Sequence, residues 1–288
     1  MRRNPIEPGT WLWDEIGLIT FSLTGGAAFL LQTMDPTISA VVDEYSTFRT
    51  DAVGRAARSI ASVMMWVYGG EEAVVEADRL RQMHAHFTVV DGDGVRRNAL
   101  AAAPWAWVLQ TGVYSMVEAS RYFARREFTA AEKDQIWQES KQLLRNFKVV
   151  DAEIPDTYGD LVAHVEDVIA RRLIATGTAR DFLRAASHLP PPPQLPSMLH
   201  PLWRVGAAPI GRLQHHVIVG TTPPAARRLL GVRWRPVDEL ALRVFGKAVA
   251  HTVVLLPERL RYFPIAYEAR RLERDRQRLR RMIDLRPI

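Results

Sequence analysis

The sequence predicts an all-α fold, a multi-helix globular bundle with a buried cofactor-type pocket. Three observations lead there. Apolar residues recur at helical spacing along most of the chain. Cap residues and Gly or Pro stops punctuate those stretches. Alternating, β-branched runs of strand type are few. With 288 residues, 48% of them hydrophobic, the chain can bury one sizeable core or two modest ones. The proline run at 190–193 divides it into a helical core, 1–189, and C-terminal helices, 190–288, packed on or extending that core.

The N-terminal MRRNP carries two arginines, but Asp14 and Glu15 break the apolar stretch that an export signal would need. A cytoplasmic protein, peripheral to a membrane at most, is the expectation. Residues 16–32 form the longest apolar run. It is marginal for a bilayer span, which needs about 20 mostly apolar residues, and it carries Thr20, Ser22, Thr24 and a glycine pair. A buried core helix is expected, with Gly25 and Gly26 allowing close approach of a backbone or a flat ligand. Asp35-Pro36 is a helix start, and Ile38, Val41, Val42, Tyr45 and Phe48 then share a face over 36–49.

Residues 51–84 are the stretch around which the rest is organised. Asp51 can cap a helix over 51–68, Gly69-Gly70 ends it, and Glu71-Glu72 opens the next, over 71–90. Val53, Ile60, Val63, Met64 and Val67 form one stripe; Arg55, Ser59, Ser62 and Trp66 form a second. An arginine heading a small and aromatic stripe is unusual for a solvated face. On the following helix Ala73, Ala77, Leu80, His84 and Phe87 lie together, so His84 sits on an apolar face. Such a histidine is either a hydrogen-bonded core residue or a metal ligand.

The segment FTVVDGDGVRRN reads as a short extended pair around a Gly turn. As a calcium loop it fails, with Val95 in the third ligand place and Ala102 in the closing one. Pro104 begins a helix over 104–126 rich in large side chains. Thr129 and Glu132 make a capping box for another, ending near Phe147. Further helices are expected at 157–174, 178–188, 198–219, 224–230, 236–255 and 264–284. The last pairs Glu268 with Arg271, Glu273 with Arg276 and Asp275 with Arg278, beside a thin seam of Ala269, Leu272, Leu279 and Ile283. It is either a solvated ion-paired helix or one that lies on anionic lipid.

The composition restricts the chemistry. Without cysteine there are no disulfides, zinc–thiolate sites, thiolate-held iron–sulfur clusters or thiol nucleophile. No GxSxG elbow, P-loop, GxGxxG or HExxH occurs. The charge of +6 suits an anionic partner, but no helix-turn-helix or aromatic-basic platform accompanies it, so nucleic acid is not expected. His84 and His86 leave a helix in nearly opposite directions and cannot share one metal. A single axial histidine with haem b fits this inventory. Phe87, Trp66, Met64 and Trp107 could serve as walls and arginines as partners for the propionates.

The ordered series GGAAFLLQ (25–32), DP (35–36), YSTFRTD (45–51), GRAARS (54–59), VYGG (67–70), RLRQMH (79–84) and WVLQT (107–111) resembles the MpaB-type oxygenases and latex-clearing rubber oxygenases. LLGVRWRP and LLPERLRYFP resemble the C-terminal part of that family. The resemblance implies a haem-b oxygenase acting on a hydrophobic, isoprenoid or lipid-like substrate with dioxygen. It places Arg55, Arg58 and Ser59 beside the cofactor, with Arg55 as the catalytic or propionate-orienting cation. His84 becomes the iron ligand. The sequence also departs from the pattern. Arg58 replaces a lysine that can cap the iron, and a guanidinium has no lone pair to do so. No second histidine lies between Ser59 and His84, Tyr45 and Leu109 stand at positions often histidine, and only Asp43 and Glu44 lie near the family's carboxylate base. Polyisoprene is therefore not the expected substrate. The other reading is a haem-free helical protein of the same fold that binds an apolar ligand or a membrane-surface partner.

Overall fold

A computed structural model describes residues 3–191 and 195–284. The MRRNP reading thus falls partly, and the proline run partly, outside the described residues. Among these, fourteen α-helices and one two-stranded hairpin occur, and no helix is long and apolar enough to cross a membrane.

The hub is a helix C-terminal to the stretch that organises the sequence. Helix α6 (Ala102–Phe123) buries fourteen of its side chains and packs on α2 (Gly25–Thr33), α7 (Ala130–Asn146), α8 (Tyr158–Arg171) and α12 (Pro236–Leu255). Its indoles are buried with their N–H groups satisfied. Trp105 donates to the Phe147 carbonyl at 2.9 Å and Trp107 to that of Leu31 at 3.2 Å. An unpaired N–H in that core would cost more than the bond itself contributes. Gln32 reaches across from α2 to Val108 O and Thr111 Oγ1.

Residues 16–32 are not one helix, contrary to expectation. Helix α1 (Trp11–Ile16) stops at Gly17, a 3-10 turn follows over Ile19–Leu23, and α2 begins at Gly25. The cause is remote in sequence. Leu18 forms an antiparallel bridge with Tyr262, and Phe263 N–H donates to Gly17 O at 2.9 Å. Backbone groups used that way cannot continue a helical ladder. Gly26 does allow a close approach: a methyl there would collide with Ile218. Nothing lies near the corresponding position at Gly25.

Helix α3 (Pro36–Tyr45) is capped by Asp35, whose carboxylate accepts from the Thr37 and Ile38 N–H groups. It ends four residues before the expected boundary because Ser46 turns extended and the next loop buries Phe48. Helices α4 (Ala52–Tyr68) and α5 (Glu72–Ala85) are the two helices expected around the glycine stop, and they pack as an antiparallel pair with Gly70 at φ +57° in the turn. Met64 and Val67 are buried as the stripe requires, but Val53 at its head is exposed. Helix α5 stops at Ala85, earlier than expected, since the hairpin of β1 (Thr88–Val90) and β2 (Arg96–Asn98) takes over. Its register pairs Thr88 with Asn98 and Val90 with Arg96. The Asp91 carboxylate accepts from Asp93 and Val95 N–H and pairs with Arg97 at 2.7 Å, so the turn is held from within.

The Thr129–Glu132 capping box forms at α7. Helix α9 (Gly177–Ser187) carries α10 (His200–Thr221), where Gly211 faces the Ser187 carbonyl too closely for any side chain. Helix α11 (Pro224–Leu229) packs against α8. At Gly246 α12 meets the Tyr122 carbonyl, where a Cβ would stand 2.6 Å from the oxygen. After α13 (Glu258–Arg261), helix α14 (Pro264–Asp284) lies along α4. There Arg270 packs against the rings of Trp13 and Tyr262 and pairs with Asp14 and Glu258.

Candidate functional site

The α4–α5 hairpin brings Arg55 and His84 to one level. Arg55 lies fourteen residues before Gly69 and His84 fourteen after Gly70, so antiparallel packing sets them side by side at the hairpin's open end. The register is confirmed halfway down, where Ser62 donates to Glu76 at 2.8 Å.

His84 is half-buried against the edges of Phe87 and Trp105, ring centres 5.1 and 5.4 Å away. Phe87 is itself stacked on Tyr45 at 4.3 Å. The imidazole Nδ1 stands 2.7 Å from the carbonyl oxygen of Leu80, one helical turn back. A carbonyl accepts only, so Nδ1 carries the proton and Nε2 keeps its lone pair. Among the described residues Nε2 has no hydrogen-bond partner. Burial lowers the pKa of His84, with the positive charges of Arg55 and Arg79 adding to the effect and the Leu80 contact opposing it. The ring is thereby held neutral, the form that can ligate a metal.

Arg55 is a half-buried cation without a carboxylate. Its guanidinium lies 4.2 Å from the centre of the Phe29 ring, donates to Ser59 Oγ at 2.8 Å and approaches Ser46 Oγ at 3.3 Å. Ser59 in turn donates to the Arg55 carbonyl. Burial lowers its pKa from the ordinary arginine value, with Arg58 adding to the effect. Arginine nevertheless stays charged. A half-buried guanidinium with only hydroxyl and ring partners keeps donors free for an anion.

The other expected residues divide. Ser59 belongs to the group through Arg55. Arg58 points outward, 63% exposed, and pairs with the helix cap Asp51 at 3.0 Å and with Thr47. Trp66 packs on Phe147, its Nε1 buried without a partner. Met64 is a core residue, and Trp107 lies near His164 rather than His84. The wall beside the imidazole is Trp105, two residues earlier on α6. Phe29, Ser46 and the Leu80 carbonyl were also not anticipated, although Leu80 stands at the i−4 position that helix geometry offers any histidine. His86 is exposed, and His216 lies against Trp234.

Two cavities occur elsewhere. One, of about 280 Å³, lies among Glu15, Phe21, Met116, Phe123 and Phe128; the other lies between the N-terminal segment and α14. Neither is lined by Arg55 or His84.

No curated protein and no solved structure matches this chain. A family model does, over residues 13–251, a span that includes Arg55, His84 and all of α6. The chain belongs to the ER-bound oxygenase mpaB/B′/rubber oxygenase family and carries its catalytic domain.

Proposed function

We propose that the protein is a haem-dependent oxygenase for a hydrophobic small molecule, with His84 as the residue that would hold the iron. The observation that carries this reading is the Nδ1–Leu80 contact, which leaves a neutral imidazole with a free Nε2 lone pair. The donor set fits the cofactor: one imidazole, aromatic side chains beside it, and a half-buried guanidinium that lacks a carboxylate. Haem, when bound, supplies an iron that activates dioxygen.

The chain's own contributions follow from the same atoms. His84 provides the Nε2 lone pair, and Leu80 fixes the ring's rotation and tautomer. Arg55, its guanidinium kept in place by Ser59 and the Phe29 ring, would pair with a carboxylate of the cofactor or with negative charge that develops during the reaction. Arg58, engaged by Asp51, serves the helix start and lies outside that group. Phe87 and Trp105 pack against the edges of the imidazole. The family's oxygenase character supports a small-molecule substrate and dioxygen. The hydrophobic class of that substrate rests on the apolar and aromatic surroundings.

The test is the absorbance spectrum of protein purified from haem-supplemented cells, with a haem assay. A Soret band with stoichiometric haem supports the proposal. A colourless protein would make His84 a core histidine and leave a haem-free binding protein of the same fold.

A further inference from the structure

A cavity of about 280 Å³ lies between the 3-10 turn that follows α1, the last two turns of α6 and the C-terminal part of α12. Its wall is mostly apolar, with Phe21, Met116, Phe123, Phe128 and Val253 among the lining side chains. A cavity of about 150 Å³ holds benzene, so this one has room for roughly ten non-hydrogen atoms. Water finds few hydrogen bonds on such a surface, and an unfilled space costs more stability as its volume grows. An apolar molecule is the better filling.

Four charged side chains also line the cavity: Glu15, Arg125, Arg126 and Arg261. Arg126 is paired with Glu132 at 2.6 Å, and Arg261 donates to the carbonyls of Val254 and Leu256. Glu15 is half-buried, and its carboxylate has no hydrogen-bond partner among the described residues. The charges that act on it, Asp14 and Arg270, are paired with each other.

Those charges select the ligand's polar group. An ammonium would meet the guanidinium groups of Arg125 and Arg261, and a carboxylate would meet Glu15. A hydroxyl carries no charge, and it both donates and accepts. Burial, with Asp14 adding to the effect and Arg270 opposing it, pushes the pKa of Glu15 up to about 7. Near neutral pH the carboxyl is therefore present in both forms. A hydroxyl suits either, because it donates to the carboxylate and accepts from the protonated acid.

We propose that this cavity binds a neutral apolar alcohol, its hydroxyl on Glu15 and its hydrocarbon chain among Phe21, Met116, Phe123, Phe128 and Val253. The site is separate from Arg55 and His84, and the inference is independent of whether His84 binds haem.

Isothermal titration calorimetry of the full-length protein at pH 7 tests it with probes of one chain length: octanol, octylammonium and octanoate. Octanol is expected to bind, and the two charged probes at least about tenfold more weakly. Glu15→Leu removes the hydroxyl's partner and should weaken octanol binding about tenfold. Glu15→Gln still donates and accepts, and should retain it. Ala250→Leu fills part of the cavity and should also weaken binding about tenfold. Circular dichroism establishes that each variant is folded, and the Glu15 pair decides the matter alone should Ala250→Leu fail to fold. Absence of octanol binding by wild type would overturn the proposal, as would tighter binding of either charged probe. Wild-type affinity in Glu15→Leu, or in folded Ala250→Leu, would overturn it too, by placing the alcohol elsewhere.

Discussion

The Nδ1 atom of His84 stands 2.7 Å from the carbonyl oxygen of Leu80, its own helix neighbour one turn back. A contact within one helix does not depend on how the surrounding elements pack, so the tautomer is set before any ligand arrives. His86, two residues on, is exposed and faces another way. The two histidines therefore form a matched pair for experiment.

His84→Ala should abolish or greatly weaken haem retention, and His86→Ala should leave the Soret spectrum intact. Haem content per folded protein, with circular dichroism as the fold control, gives the comparison. Equal haem in wild type and His84→Ala would remove the ligand assignment.

Arg55 leads to a different expectation. Its desolvation is offset only by Ser59, Ser46 and the Phe29 ring, and an apolar side chain of similar length can replace a buried cation at little cost. Arg55→Met should change the stability of the haem-free protein by less than about 1 kcal/mol, or stabilise it. Oxygen consumption by the loaded enzyme should fall by at least about tenfold. A large loss of stability in the haem-free variant would instead make Arg55 a structural residue.

What the sequence disclosed about this site follows the range of each interaction. Caps are local: Asp35, Asp51 and Thr129 are all bonded to the N–H groups that their positions imply. Helical spacing likewise put His84 on an apolar face and Arg55 at the head of an unusual stripe. It could not say that Phe29 lies under Arg55, since that contact joins helices separated by α3. Nor could it choose between Trp105 and Trp107, both of which are buried on α6 while only Trp105 meets His84. The break at Gly17 was hidden for the same reason, because its cause lies at Tyr262 and Phe263. Arg58 was placed beside the cofactor by resemblance, whereas the structure pairs it with Asp51, two turns back at the start of the same helix.

Two glycines of α10 should respond in opposite directions. A methyl at Gly211 would meet the Ser187 carbonyl oxygen, backbone that cannot move without parting α10 from α9. Gly211→Ala should cost about 2–4 kcal/mol in urea denaturation. Gly206 has nothing within 4 Å, so Gly206→Ala should gain about 0.5–1 kcal/mol through helix propensity. Similar effects at both sites would contradict the packing of α10 on α9.

Glu15 should make stability fall as pH rises. It borders the cavity among Phe21, Met116, Phe123 and Phe128, and its carboxylate has no hydrogen-bond partner among the described residues. Burial, reinforced by the neighbouring charge of Asp14 and opposed by Arg270, pushes its pKa from 4.5 up to about 7. Between those two values the folded protein holds a proton that the unfolded chain has released. Stability from this group is thus fully present below pH 4.5 and is lost as pH rises through 7. His84, whose pKa is lowered, works in the opposite sense and loses stability on acidification. The useful quantity is therefore the difference between Glu15→Gln and wild type. Glutamine keeps the shape and cannot ionise, so the variant should match wild type near pH 4.5 and exceed it by about 1–3 kcal/mol above pH 8. Urea denaturation across that range measures the difference directly. A gap that stays constant with pH would mean that the carboxyl ionises as freely in the folded chain as in the unfolded one.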